Sequence, residues 1–248
     1  MKKIIVVLLL FFQMNNVAYS LDLELNHWYD FKGNLEGKPI QLSIFTLNGG
    51  KLIGSYCSFS NEPKVLLSGN VSGNEIYLTA SQNGKITGEL IGRIFTDDQD
   101  RMNLTWRNII TDKKSIFNSV LMSSNSGTSA KRYTHLLGSD QALESFIVTI
   151  KKAIANNDKM WIADHLFYPV RVRISEKSTL DIKNKNQLLL QYDKIFTPAM
   201  KQKISSTFSF NLFSNYQGVM LGDGQLWVNN GLNGTEKNPG FQIISINP

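Results

Sequence analysis

The segment VLLSGNVSGNEIYLTASQNGKITGELIGRIF, residues 65–95, decides the architecture of the N-terminal half. Three β-prone runs are separated by Ser72-Gly73-Asn74 and by Asn83-Gly84. Asn-Gly supplies the positive φ that tight hairpin turns require, so each run folds back on the one before it. Upstream, Ile40, Leu42 and Ile44 alternate with Gln41, Ser43 and Phe45, and Asn48-Gly49 turns the chain into residues 51–59. Downstream, residues 102–108 and 115–122 add two more runs. Seven or eight strands joined in order by short connections form an antiparallel meander. Closing such a meander into a barrel removes its unpaired edges. Gly54, Gly69, Gly88 and Gly92 lie inside the runs, where a curling sheet needs bulges and tight bends.

The recurrent Gly-x-Leu/Ile/Tyr pattern resembles the lipocalin-type (calycin) or avidin-type meander, and the resemblance implies the barrel alone, with no ligand attached to it. Trp28, Tyr56, Tyr77 and Trp106 either line a barrel cavity or plug it, and a barrel this small is expected to be plugged. Cys57, with no basic neighbour in sequence, reads as a buried inert thiol.

At the start of the chain, Met1-Lys2-Lys3, an apolar run over residues 4–12 and Ala18-Tyr19-Ser20 have the layout of a secretory signal peptide cut after Ser20. The apolar run is well short of the ~20 residues that span a bilayer. The mature chain is therefore expected to be exported, periplasmic or extracellular, without a membrane span. Its single cysteine excludes an intrachain disulfide. Net charge is +6 with the leader and, since Lys2 and Lys3 are the leader's only charges, +4 without it. Basic clusters are no longer than Lys113-Lys114 and Lys131-Arg132, read as solvated loop positions, so nucleic acid is not an expected partner.

Residues 123–138 include a Ser/Asn/Gly/Thr run without apolar periodicity and read as a flexible linker between a barrel domain, 21–122, and a second domain, 139–248. There Leu143, Phe146, Ile147, Ile150 and Ile154 recur at helical spacing behind Ser139 or Asp140 as N-cap. Asp158 caps a second, short helix that Pro169 ends, and residues 168–174 follow as a strand. Asn184-x-x-Gln187 and Thr197-Pro198 each open another helix. Residues 215–229 read as a β-hairpin turning at Gly222-Asp223-Gly224, and a strand over 241–246 closes the chain. The fold class is thus α+β, a meander barrel followed by an α+β domain. The helix and strand order, with Ala153-Ile154-Ala155-Asn156-Asn157-Asp158 ahead of Tyr168-Pro169-Val170, is similar to the nuclear-transport-factor-2-like cone. That resemblance implies a bent sheet around a helix, enclosing a pocket.

Enzymes of that superfamily use pocket Asp and His residues, which here points to Asp164 and His165 as catalytic candidates. Neighbours on a helix diverge by about 100°, so the two form no pair unless the chain bends. The plainer expectation is a surface Asp164 and a His165 packed at the helix end. Arg171 and Arg173 share one strand face, which is either an exposed, solubilising face or a grip for an anion, with Tyr192, Asp193 and Trp227 completing the candidate ligand set. Gly222-Asp223-Gly224 lacks the third glycine and the helix of a dinucleotide fingerprint. His27, His135 and His165 are scattered, and Gly-x-Ser-x-Gly is absent, so neither metal nor cofactor is expected. The expected function is a non-catalytic exported binding or interaction protein of the cell envelope, of inhibitor or immunity type, acting on a protein or a small ligand. The alternative is an enzyme using the cone pocket with an Asp/His base.

Overall fold

The computed structural model describes residues 21–59, 63–176 and 178–248, so the leader read in residues 1–20 lies outside them. Eight antiparallel strands come first: β1 (His27–Leu35), β2 (Lys38–Thr46), β3 (Lys51–Ser58), β4 (Val65–Ser72), β5 (Glu75–Gln82), β6 (Lys85–Thr96), β7 (Asp100–Asn108) and β8 (Lys114–Ser126). They pair in sequence order, and β1 also pairs with β8, which closes the barrel. The architecture is compatible with the calycin-like barrel of the sequence resemblance. Asn83 (φ 52) and Gly84 (φ 74) make the expected turn between β5 and β6. Glu36 (φ 53) and Gly37 (φ 77) make an equivalent turn between β1 and β2, at a dipeptide whose sequence is a weaker turn signal.

Every strand sends apolar side chains inward, among them Phe31, Leu42, Leu52, Leu67, Leu78, Leu90, Leu104 and Phe117. Tyr56 packs edge-on against Trp106 at 6.1 Å in the same core, so these two help plug the lumen. Trp28 and Tyr77 do not join them. Trp28 packs on Phe45 outside the barrel, and Tyr77 is exposed on the outer wall. Trp106 has its place because position 88 is glycine: a Cβ there would stand 2.0 Å from the indole.

The rest of the chain comprises α1 (Asp140–Ala155), α2 (Lys159–Asp164), β9 (Val170–Ser175), β10 (Ser178–Ile182), α3 (Lys185–Ile195), α4 (Pro198–Ser205), β11 (Ser214–Asn215), β12 (Gly218–Leu221), β13 (Leu226–Asn230) and β14 (Phe241–Ile246). The helix starts follow the capping chemistry of the sequence. Ser139, Asp158, Asn184 and Thr197 each accept a backbone N–H two or three residues into their helix. Strand β10 was not foreseen; it pairs with β9, while β11 to β14 form a four-stranded sheet in sequence order. None of the described helices is long and apolar enough to cross a membrane. A second core runs from α1 (Leu143, Ile147, Ile150) through α3 (Leu188, Tyr192) to the four-stranded sheet (Val219, Val228, Ile243), and it includes Cys57 of the barrel wall.

Residues 123–138, expected to be a flexible linker, are tied down instead. Residues 123–126 complete β8, and Arg132, Tyr133 and Leu136 are buried. Composition misread them because a few long-range bonds hold the stretch: Ser123 and Arg132 donate to Asp30, and the Thr128 carbonyl accepts from Trp28 Nε1.

Gly88→Ala should destabilise the protein by about 1–3 kcal/mol through overpacking against Trp106. Urea unfolding of Gly88→Ala, Trp106→Leu and the double variant should show the alanine costing much less once the indole is gone.

Candidate functional site

Alternation along β1 to β3 sends Phe31, Leu42 and Leu52 into the barrel and the intervening residues out. The strand register then aligns the outward residues in rows: Ser123, Asp30, Ser43 and Ser55 in one, Lys32, Gln41 and Cys57 in the next. On an ordinary barrel these rows would meet water. Here Asp30, Ser43, Ser55 and Cys57 are buried.

What covers them is Arg132, together with the irregular segment Phe208-Ser209-Phe210-Asn211-Leu212. Arg132 Nη2 lies 2.6 Å from Asp30 Oδ2, and Nη1 donates to Ser43 Oγ at 2.5 Å. Ser43 and Ser123 also donate to the Asp30 carboxylate, so that charge is fully engaged. Burial by itself would lower the proton affinity of Arg132, but the Asp30 charge outweighs it and holds the guanidinium above its ordinary value.

The segment has no helix or ladder to satisfy its backbone, so side chains do so. Arg132 Nη2 donates to the carbonyls of Asn211 and Leu212, both at 3.2 Å, and Gln41 also donates to that of Asn211. Glu144 on α1 accepts from Asn211 N–H at 3.2 Å and from Tyr133 OH at 3.0 Å; Tyr133 OH in turn accepts from Leu212 N–H. Lys64, 2.7 Å from Glu144, balances that charge. Burial pushes the Tyr133 hydroxyl well above its usual value, the Glu144 charge adding to it, so Tyr133 remains a donor. Asn211 itself adopts φ 55, a conformation Asn tolerates better than most residues, and its side chain pairs with Ser55.

Beside this network, between the barrel and the C-terminal half, lies a cleft of about 260 Å³. Phe59, Met122, Phe208, Leu212, Phe213 and Met220 give it an apolar floor, which the buried or half-buried Asp30, Gln41, Ser123, Thr207 and Gln225 interrupt. Phe59 and Phe208 pack at 4.5 Å between ring centroids. Lys32, Lys203, Ser206 and Asp223 stand at its exposed rim. The hairpin of β12 and β13 forms one wall, where Gly222 (φ 72) and Gly224 (φ 98) shape the turn and Gln225 Oε1 accepts the Asp223 N–H at 2.8 Å.

The residues singled out from sequence do not converge there. Asp164 is exposed and ion-paired with Lys185. His165 stacks on Trp161 at 3.9 Å with Nδ1 2.8 Å from the Trp161 carbonyl, a packed helix end. Arg171 is exposed and paired with Asp181 at 2.7 Å, while Arg173 reaches the carbonyls of Ser175 and Glu176. Tyr192 is fully buried and stacked on Phe196, and Asp193 pairs with Lys159 on the surface. Trp227 packs edge-on against Phe213 and sits opposite Met220 in register, so it backs the cleft wall without lining it. Arg132, read as a solvated loop residue, is a correction: it is buried because Asp30 and two carbonyls replace its water.

Lys32, Lys203 and the Phe208 segment were missed. One signal was present: Phe208, Phe210 and Leu212 alternate with Ser209 and Asn211 at strand spacing, and such an apolar row is covered by something even where, as here, no strand forms. Comparison with protein-family models, with curated proteins and with solved structures gives no match for this chain.

Arg132→Ala should cost about 3–5 kcal/mol in urea unfolding, because it strands the buried Asp30 charge. Arg171→Ala, which opens an exposed pair, should leave the unfolding midpoint almost unchanged. Burial pushes the Cys57 thiol up from 9.0 to about 12, so the native protein should resist a thiol reagent at mildly alkaline pH and react once denatured. Since the unfolded chain releases this proton first, Cys57 also removes stability as pH rises from 9.0 towards about 12, a loss that Cys57→Ala should abolish.

Proposed function

We propose that this chain is a non-catalytic binding protein, exported by the leader read in its first residues, whose ligand site is the cleft between barrel and C-terminal half. The observation that carries this reading is the cleft's construction. An apolar floor open to solvent is edged by polar side chains and flanked by elements that a buried ion-pair network fixes in place. Ligand sites are typically concave, mostly apolar and preformed, and junctions between structural units are a preferred place for them. The floor needs no rearrangement to receive an occupant, because Arg132 and Glu144 already hold residues 208–212.

The acid–base alternative finds no support in the geometry, since the side chains it rested on are engaged by Lys185 and Trp161. The four helices and two small sheets of the C-terminal half support reading it as a cone-type domain of the nuclear-transport-factor-2-like kind. In this molecule its useful concavity is the outer one, against the barrel.

Ser206 lines the cleft at the exposed end of α4, so Ser206→Trp places an indole in the opening without touching either core. A panel of small fragments with apolar bodies, cationic, neutral and anionic, should yield saturable binders by ligand-observed NMR. Ser206→Trp should lose them. A panel without binders, or binders indifferent to Ser206→Trp, would remove the cleft as the ligand site.

A further inference from the structure

We infer, building on the cleft as the ligand site, that its occupant is a small amphipathic anion: an apolar, ring-sized body on the Phe59 and Phe208 floor, with one carboxylate, sulfonate or phosphate reaching Lys32 and Lys203. Some lysines of this chain have a carboxylate beside them, as Lys113 has Glu36 and Lys159 has Asp193, while others, such as Lys51, Lys85 and Lys194, stand alone over open surface. Lys32 and Lys203 have none among the described residues, and both stand over the same cleft. Of the two acids among the described residues that line it, Asp30 is neutralised by Arg132 and engaged by Ser43 and Ser123, which leaves Asp223, exposed in the hairpin turn. Two available ammonium groups against one solvated carboxylate give the opening a positive field, which suits an anion.

The place of Lys32 makes the selection a joint one. Its ammonium lies 5.9 Å from the centroid of Phe208, directly over the floor. An acidic group bonded to Lys32 therefore leaves the remainder of the molecule against the aromatic rings. Near low-dielectric walls such a contact is stronger than on an open surface. At about 260 Å³ the cleft falls just below the usual volume of small-molecule sites, roughly 300–1,000 Å³, and so suits a compact organic acid.

The test uses two probes that share an apolar frame and differ in charge, anilinonaphthalene sulfonate and uncharged phenylnaphthylamine, titrated by fluorescence into the purified protein. The sulfonate should bind at one site per chain and roughly tenfold or more tighter than the neutral probe, the scale of one charge-assisted bond. Lys32→Met/Lys203→Met, which keeps both stems, should bring the two affinities together with the near-UV dichroism of the folded protein unchanged. Equal affinities in the unsubstituted protein, or a sulfonate preference that survives the double substitution, would overturn the anion inference while leaving the cleft in place as the site. Failure of both probes to bind, or binding that persists in Ser206→Trp, would overturn the site and the inference together.

Discussion

A single carboxylate and a single guanidinium, Asp30 and Arg132, meet at 2.6 Å where neither reaches water, and the arrangement of the molecule follows from that meeting. A buried ion pair is by itself poor grounds for stability, because removing both charges from water costs about what their attraction returns. Its importance here is directional. Asp30 leaves Arg132 donors to spare, and these satisfy the carbonyls of Asn211 and Leu212, groups that no ladder or helix serves. Without them an irregular segment does not remain buried at the centre of the molecule.

Two consequences follow. The barrel presents two kinds of outer wall: β1 to β3 are covered, whereas Tyr77, Ile91 and Ile116, neighbours across β5 to β8 through Thr105, stand exposed. The cleft also exists because coverage stops short. Phe208 and Leu212 are held against the barrel, but the hairpin of β12 and β13 stands off from β1, and the apolar floor between them stays open.

Much of the fold was legible because its determinants are local. Asn83-Gly84 turns a chain wherever it occurs, and Ser139, Asn184 and Thr197 cap helices through bonds spanning three residues. The candidate site was not legible for the complementary reason. Arg171 and Arg173 do share a strand face, but whether that face meets a pocket or solvent depends on elements distant in sequence, and Asp181 on β10 answers it. Tyr192 sat in the right helix with the wrong role, because aromatic residues mark cores and ligand floors alike.

Taken alone, the sequence determined an antiparallel meander of seven or eight strands, capped helices and a final hairpin and strand, since turn chemistry, capping and alternation act over a few residues. The tertiary structure alone decided which barrel wall is covered, that Arg132 is buried, and that Lys32 from β1 and Lys203 from α4 overlook one apolar floor. The physical reason is that Asp30 and Lys32 are both polar residues at outward positions of one strand. Nothing in their own segment distinguishes the one whose partner is a guanidinium 102 positions away from the one that faces an open cleft.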